Sequence, residues 1–80
     1  MKLSIYSLKS VLFQGDASLL NCKTTMGEIT VLDNHEALIT VLAAGNIMVA
    51  TKNAEDKYFL IKSGFLEVKP GNEVRCIVEQ

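Results

Sequence analysis

The chain has 80 residues, of which 49% are apolar, and its formal net charge is −1. A chain of this length forms one domain with a single core, and its apolar content is too high for an intrinsically disordered chain. The eight basic residues are scattered rather than clustered, which argues against a nucleic-acid partner and against direct binding to anionic lipid.

Alternation of apolar and polar residues with a period of two is the main pattern along the chain, and it predicts short β-strands. Near the N-terminus Leu3 and Ile5 alternate with polar neighbours, and further on Ile29 and Val31 do the same. The alternation recurs in three later segments: NIMVAT at 46–51, FLEV at 65–68 and EVRCIVE at 73–79. No segment shows helical periodicity over about ten residues.

Short polar or glycine-containing segments separate the predicted strands. QGD at 14–16 permits a bulge or a bend, because the apolar residues change faces after it. AAGN at 43–46 and NAED at 53–56 are typical of hairpin connections. PGN at 70–72 is the strongest turn signal, because Pro70 presets its own φ and Gly71 accepts the positive φ of a type II turn.

The apolar segment ALITVLAA at 37–44 is the one rival to this all-strand interpretation. Its β-branched residues, placed between a polar turn and Gly45, favour a buried strand over a short helix. About eight to ten short strands, each burying one face, predict an all-β fold. We expect a two-sheet antiparallel β-sandwich, or flattened barrel, that occupies residues 1–80 as one domain.

The sequence offers few groups for catalysis or cofactor binding. Its five glycines stand singly, so there is no glycine-rich phosphate loop, and no closely spaced pair of ligands suggests a zinc site. Cys22 and Cys76 fall on inward-facing strand positions, where a thiol acts as a small apolar side chain. We therefore expect no cofactor, no metal and no catalytic residue, and no disulfide in a reducing compartment.

A few individual polar and aromatic residues still permit a functional role. His35, the one histidine, stands between acids in the run DNHE and could serve as a general base, but no nucleophile or oxyanion donor accompanies it. The simpler interpretation is a turn residue whose imidazole bonds the nearby backbone. On pattern alone Glu28 is a solvated strand residue, and Phe65 and Leu66 are more typical of a core than of a ligand pocket.

Three longer blocks occur in order along the chain: KLSIYSLKSVLFQGDASLL at 2–20, GEITVLDNHEALITVLAAGNI at 27–47 and SGFLEVKPGNEV at 63–74. The central block resembles the signature of the epsilon subunit of rotary, F-type ATP synthases, with its Gly-Glu start, its histidine turn and its Leu-Ile-Thr-x-Leu run. The flanking blocks resemble that family's first strand and its GGFLEV strand. Asp33-Asn34 replaces the family's Pro-Gly, and Glu36-Ala37 replaces its Ala-Pro, so the turn is more acidic here.

The resemblance implies the fold and partners of that family's N-terminal domain. Such a domain is a β-sandwich that binds the gamma subunit along one side and rests its lower loops on the c-ring. Glu28 matches the family's ring-contacting acid, and His35 would hold its turn near gamma. The residues implied for c-ring docking are Met26, Gly27, Glu28, Asp33 and Asn34, and those implied for the gamma interface are His35, Glu36, Leu38 and Met48.

The function that this resemblance implies is that of a non-catalytic central-stalk subunit, coupling ion translocation to ATP synthesis. The sequence shows neither a signal peptide nor an apolar run of about 20 residues, so we expect a soluble protein in the cytoplasm. The resemblance implies a more specific place, that of a peripheral subunit at the cytoplasmic face of the inner or plasma membrane. Contact with the membrane would be only indirect, through the complex. In the family, ATP sensing and inhibition need a C-terminal helical hairpin, so we expect neither activity if these 80 residues are the whole protein.

Two other classes of function stay open at this point. A stand-alone ligand-binding β-sandwich would need exposed aromatic side chains on one face, and only Tyr6 and Tyr58 are candidates. A hydrolase that uses a Cys–His pair would need an accessible thiol of low pKa. A stalk subunit should instead expose an apolar face, with at least two of four candidate side chains accessible to solvent: Leu19, Met26, Met48 and Ile77.

Overall fold

The computed structural model covers residues 1–80 and consists of nine β-strands joined by short connections. This confirms the predicted all-β fold of about eight to ten strands. The structure contains no helix with the length and apolarity needed to cross a bilayer. The strands are β1 (Lys2–Tyr6), β2 (Val11–Asp16), β3 (Leu19–Thr24), β4 (Gly27–Leu32), β5 (Leu38–Leu42), β6 (Gly45–Thr51), β7 (Ala54–Ile61), β8 (Ser63–Lys69) and β9 (Glu73–Glu79).

The strands form a flattened, nearly closed barrel with the order β2-β1-β9-β8-β5-β3-β6-β7, and β4 pairs with β3 beside this path. Because β5 meets β3 at only one residue pair, Thr24 with Leu42, the barrel divides into two layers. We call β2-β1-β9-β8-β5 the five-stranded layer and β4-β3-β6-β7 the four-stranded layer. All pairs are antiparallel except β1 with β9, which run parallel.

The core lies between the two layers and contains the inward-facing residue of each alternating pair. Ile5, Cys76 and Leu66 are neighbours across β1, β9 and β8, and all three are fully buried. At the open edge between β2 and β7, the rings of Phe13 and Phe59 meet edge to face with centroids 6.5 Å apart. Burial of each large apolar side chain stabilises the fold by about 1.5–3 kcal/mol, which is why the alternation in the sequence fixes the faces of the strands.

The four predicted connections have different outcomes. The hairpin connection predicted at 53–56 is confirmed, because β6 and β7 pair antiparallel there. The bulge or bend predicted at residues 14–16 is misplaced, because the irregularity of the ladder lies at Leu12, opposite the step from Ile5 to Tyr6, and the chain bends at Ser18. The hairpin predicted at 43–46 is also wrong, because β6 pairs with β3 and β7 rather than with β5. The turn at 70–72 is confirmed in its key feature, since Gly71 has a φ of 85°.

The apolar segment at 37–44 does form a strand, but the strand is not buried on both faces. Ile39 is 74% exposed and Val41 is 44% exposed, whereas Leu42 is buried. On the adjacent strand β8, the assignment of Leu66 to the core is confirmed, whereas that of Phe65 is wrong because Phe65 is 56% exposed. The outer side of the five-stranded layer therefore carries large apolar side chains.

The connections lie at two opposite ends of the barrel. We call one the Met26 end; it contains residues 7–10, 25–26, 43–44 and Lys62, where β1, β3, β5, β7 and β9 finish. We call the other the Asp33 end, which contains Met1 and residues 17–18, 33–37, 52–53 and 70–72. The six residues of β4 separate the two ends by about 17 Å.

Candidate functional site

A continuous row of apolar side chains crosses the outer face of the five-stranded layer near the Met26 end. We call it the apolar row; its members are neighbours in register, one on each strand: Val41, Phe65, Ile77, Tyr6 and Val11. Phe65 is 56% exposed and Ile77 is 48% exposed. Each member faces outward because its strand neighbours, such as Leu66 and Cys76, occupy the core.

The same outer face becomes polar and then charged toward the Asp33 end. In the next row the guanidinium Nη2 of Arg75 lies 2.6 Å from Oε1 of Glu67, and Ile39 stands beside this ion pair. The row after that alternates in charge across four strands: Lys69, Glu73, Lys2 and Asp16. The face therefore combines one apolar stripe with a charged margin, an arrangement found where proteins dock.

The outer face of the four-stranded layer also exposes apolar groups, but polar residues interrupt them. Tyr58 is 64% exposed and lies opposite Met48, whose other neighbour is Asn21. Leu60 is 67% exposed and lies opposite Asn46. One uninterrupted apolar row does lie on this layer, but it crosses three strands rather than five; its members are Leu32, Leu19 and Ala50.

The three residues of the predicted ring-docking set around Glu28 lie together at the Met26 end. Met26 is 90% exposed, and Gly27 adopts a φ of 123° that favours glycine. The side chain of Thr24 stabilises this turn. Its hydroxyl oxygen accepts the Met26 N–H at 3.0 Å, and its O–H donates to the Gly27 carbonyl at 2.7 Å. Glu28 is exposed and carries a solvent-facing carboxylate.

The other two members of that predicted set, Asp33 and Asn34, lie at the opposite end of β4. The Asp33 carboxylate accepts hydrogen bonds from the α-amino group of Met1 at 2.5 Å and from the side-chain amide of Asn72 at 3.2 Å. These donors, the α-amino group first, lower the pKa of Asp33 from its ordinary value. Asn34 adopts the left-handed conformation, with a φ of 60°, as its place in the turn requires.

The four residues predicted for the gamma interface do not share one surface. His35 and Glu36 lie in the turn at the Asp33 end, where Nδ1 of the imidazole is 2.8 Å from the Glu36 carbonyl oxygen. This contact confirms the interpretation of His35 as a turn residue that bonds the nearby backbone. Leu38 packs against the core, and Met48 lies on the four-stranded layer.

Sequence reasoning missed Ile39, Val41 and Phe65 as surface residues. The signal was present in the strict alternation of LITVL, where residues 39 and 41 must face away from Leu42. The expected exposed apolar face is confirmed, because Met26 and Ile77 are both exposed. Leu8, in the connection between β1 and β2, is fully exposed and adds a further apolar side chain at the Met26 end.

The two cysteines have the properties of core residues. Both are free thiols and buried; burial raises the pKa of Cys22 to about 11 and that of Cys76 to about 12. A thiol with such a pKa is almost wholly protonated near neutral pH and is a poor nucleophile. No group of three or more His, Cys, Asp or Glu side chains is placed to hold a metal ion.

A cleft of about 460 Å³ lies at the Asp33 end. Its lining contains no aromatic side chain, and it includes both charged and small residues: Met1, Asp16, Ala17, Ser18, Asp33, Thr51, Lys52, Asn53 and Ala54. Small-molecule pockets are usually lined mainly by apolar and aromatic groups. The cleft therefore gives little support to a stand-alone ligand-binding role.

Comparison with known proteins gives consistent matches over nearly the whole chain. The family model described as "ATP synthase, Delta/Epsilon chain, beta-sandwich domain" matches residues 1–80. The chain is similar to the ATP synthase epsilon chain of Clostridium novyi, with 37% identity over 67 residues that cover 84% of this chain and 51% of the relative. The epsilon chain of Psychrobacter arcticus is 39% identical over 66 residues, which cover 82% of this chain and 48% of the relative.

Two solved assemblies contain chains of the same fold. A chain of the Euglena gracilis mitochondrial ATP synthase, solved as OSCP/F1/c-ring, aligns with a TM-score of 0.93 and 22% identity over 100% of this chain and 51% of its own length. A chain of the Tetrahymena thermophila mitochondrial ATP synthase central stalk and c-ring aligns with a TM-score of 0.87 and 20% identity, covering 100% of this chain and 63% of that chain. At such identities the likeness shows the fold, and the chain spans about half the length of the curated relatives it matches.

Proposed function

Since this chain belongs to the family of ATP synthase delta/epsilon chain β-sandwich domains, we propose that it works as a non-catalytic central-stalk component that binds the gamma subunit and contacts the c-ring. In this role it couples ion translocation to ATP synthesis by transmitting rotation and performs no covalent chemistry. It is a peripheral component at the cytoplasmic face of the inner or plasma membrane, and it meets the membrane only through the complex.

The observation that carries this proposal is the apolar row. Its five side chains lie on five adjacent strands, which spans about 19 Å at an inter-strand spacing of about 4.8 Å. Contiguous exposed apolar surface is unfavourable in water and marks docking sites on proteins that work in complexes. We assign the gamma contact to this row, with Ile39 beside it and the Glu67–Arg75 ion pair at its polar margin.

The c-ring contact belongs, in this proposal, to Met26, Gly27 and Glu28. They lie on one turn, and the Glu28 carboxylate is free to accept a charge-assisted hydrogen bond from a polar ring loop. Asp33 and Asn34 lie about 17 Å away, so a ring surface against Glu28 does not also reach them. The proposal therefore keeps the Met26 turn for the ring and leaves Asp33 and Asn34 out of that contact.

The test is association of this domain with its cognate gamma subunit, measured by calorimetry. We expect binding, and we expect Phe65→Glu to weaken it at least about 100-fold, because a carboxylate would be buried in an apolar contact. Tyr58→Glu is the matched control, since Tyr58 is an aromatic residue of similar exposure on the other layer. This control should change the affinity for gamma by less than about threefold.

A second variant separates the ring contact from the gamma contact. Glu28→Ala should bind isolated gamma as the unaltered domain does, yet bind a gamma–c-ring complex more weakly. If the unaltered domain shows no binding to gamma at tens of micromolar, where weak specific contacts are still detected, the stalk role is wrong. The ligand-binding alternative would then become the leading hypothesis.

A further inference from the structure

Strand β5 has an unpaired edge at the place where the apolar row ends. It pairs with β8 along its whole length, but its other edge meets β3 at a single residue pair. There the Val41 carbonyl accepts the Thr25 N–H at 3.1 Å, so the main-chain groups of Val41 point away from β8. Because this direction alternates along a strand, Ile39 presents its N–H and carbonyl at the same edge. No backbone group bonds the Ile39 N–H, the Ile39 carbonyl or the Val41 N–H.

The other three edge strands carry features that hinder the addition of a further strand. The ladder of β2 is irregular at Leu12, β7 contains the charged run EDK at 55–57, and β4 exposes Glu28. Strand β5 reads LITVL; it contains no charge and no proline, and its ladder with β8 has no bulge. An apolar edge without such features is a template for pairing with an extended chain.

The side chains at this edge continue the apolar row. Val41 is the member of the row on β5, and Ile39, two residues before it on the same outer face, is 74% exposed. A strand added to β5 would lie about 4.8 Å away and place its own outward side chains beside these two. The neighbouring Glu67 carboxylate is already paired with Arg75. The edge therefore fits a strand whose outward side chains are apolar and uncharged.

Both ends of β5 are held in place by the rest of the fold. At the Met26 end the Ala43 N–H donates to the Lys23 carbonyl at 2.9 Å. At the Asp33 end the side-chain oxygen of Asn72 accepts the Asn34 N–H at 2.8 Å, and its amide donates to the Asp33 carboxylate at 3.2 Å. The edge is thus extended before any partner arrives, so pairing requires little further ordering of this chain.

We propose that the gamma subunit docks in part by adding an extended segment to the free edge of β5, as a sixth strand of the five-stranded layer. The inference rests on the proposed function, which assigns the gamma contact to the apolar row, and it names the form of that contact. The added strand bonds the main-chain groups of Ile39 and the N–H of Val41. In strand addition the main-chain bonds supply affinity and the alternate side chains supply specificity.

The central experiment is amide hydrogen exchange of the unaltered domain, followed by NMR, alone and with saturating cognate gamma. In the free domain the Ile39 and Val41 amides should exchange nearly as fast as in an unstructured peptide, because they have no partner. With gamma bound, both should exchange at least roughly 10-fold more slowly.

The Thr30 amide is the matched control, because it lies on the free edge of β4. The Lys23 carbonyl points to Ala43, so the cross-strand neighbour Glu28 and, two residues on, Thr30 direct their main-chain groups away from β3. Its exchange should be fast in both samples. Slowing at Thr30 equal to that at Ile39 would mean a general stabilisation of the domain and would overturn the inference.

A pair of variants tests the main-chain bond separately from the side chain. Ile39→Ala and Ile39→Pro both remove the isoleucine side chain, but only proline also removes the N–H, and an edge strand tolerates it. We expect Ile39→Pro to bind gamma at least about fivefold more weakly than Ile39→Ala, because an acceptor on gamma loses its partner. Thr30→Pro, on the β4 edge, should leave the affinity unchanged within about threefold. Circular dichroism and urea unfolding check that each variant is folded.

The outcomes separate this inference from the proposed function. If gamma binds the unaltered domain while the Ile39 and Val41 amides exchange as in the free domain, gamma covers only the outer face. The strand-addition inference is then overturned and the proposed function stands. If the unaltered domain does not bind gamma, the proposed function fails and the inference fails with it. If Ile39→Pro does not fold, the exchange measurement on the unaltered domain decides.

Discussion

The Met26 end and the Asp33 end of the barrel carry different kinds of surface side chain. At the Met26 end, Leu8 and Met26 are almost fully exposed, and the apolar row lies close by. At the Asp33 end, polar side chains bond one another across three segments. The exposed apolar side chains can be buried only against a partner, whereas these polar side chains already have hydrogen-bond partners within the fold. The Met26 end therefore carries apolar area that a partner could bury, whereas the polar side chains of the Asp33 end stabilise one another.

The first way to test this comparison uses one glycine from each end. A Cβ added to Gly64 would lie 2.5 Å from the Ile77 carbonyl oxygen and 3.1 Å from Val78 Cα, so the backbone beneath the apolar row must move. We expect Gly64→Ala to lower the free energy of unfolding by about 3 kcal/mol, the upper range of overpacking. Urea unfolding monitored by circular dichroism measures the change.

Gly71→Ala is the counterpart at the Asp33 end. Its added Cβ would contact nothing within 4 Å, but the φ of 85° disfavours any residue with a Cβ. We expect a smaller loss of about 1 kcal/mol from this conformational cost alone. If Gly71→Ala were the more destabilising variant, backbone conformation at the Asp33 end, and not close packing at the Met26 end, would limit the stability of the fold.

The fold was predictable from the sequence because burial depends on alternation within each strand. Leu3, Ile5, Val74 and Cys76 were predicted to face inward, and all four are buried. What the pattern could not supply was the pairing of strands distant in sequence. The crossing from β5 to β6, which replaces a predicted hairpin, depends on packing of the whole barrel rather than on local turn residues.

The candidate site was predicted less well, for a related reason. The resemblance places Glu28 and Asp33 in one ring-docking set, but the extended strand between them carries them to opposite ends of the barrel. The apolar row was missed because its members come from five strands and meet only through their register. The apolar composition of the segment at 37–44 predicts a buried strand, but Ile39 and Val41 face outward on it.

A further test concerns the two buried thiols in the core between the two ends. Burial raises the pKa of Cys22 and of Cys76 above the ordinary thiol value. Both thiols therefore stay protonated in the folded protein at pH values at which they are ionised in the unfolded chain. The free energy of unfolding should therefore fall as the pH rises above about 9, by about 1–2 kcal/mol between about pH 8 and about pH 9.5. Below about pH 8 the thiols contribute no pH dependence.

The measurement is urea unfolding across this range, with Cys76→Ala as the comparison. Removing one thiol should make the alkaline decline shallower, although the variant starts from a lower stability because of the cavity it leaves. An equal slope in both proteins would mean that other groups cause the decline. The buried thiols would then not be the source of alkaline sensitivity in the core.

The smallest expected effect is a difference between the two ends in how acid changes the protection of their backbone amides. Hydrogen bonds from the Met1 α-amino group and from Asn72 lower the pKa of Asp33, so its contribution is present above the ordinary carboxyl pKa of about 4 and is lost as the pH falls through the lower folded value. Protection of the Asn34 amide should therefore decrease as the pH falls below about 4. Protection of the Met26 amide should not change, because its acceptor is the Thr24 hydroxyl, which does not titrate.

Amide exchange followed by NMR, corrected for the intrinsic pH dependence of exchange, measures both amides in one sample. Asp33→Asn provides the control, because it keeps an acceptor oxygen at the same place without a titrating group, and its Asn34 protection should be independent of pH. Equal acid sensitivity at Asn34 and Met26 would show that the whole barrel loosens in acid. The difference between the ends would then lie in their exposed groups alone and not in how each turn is held.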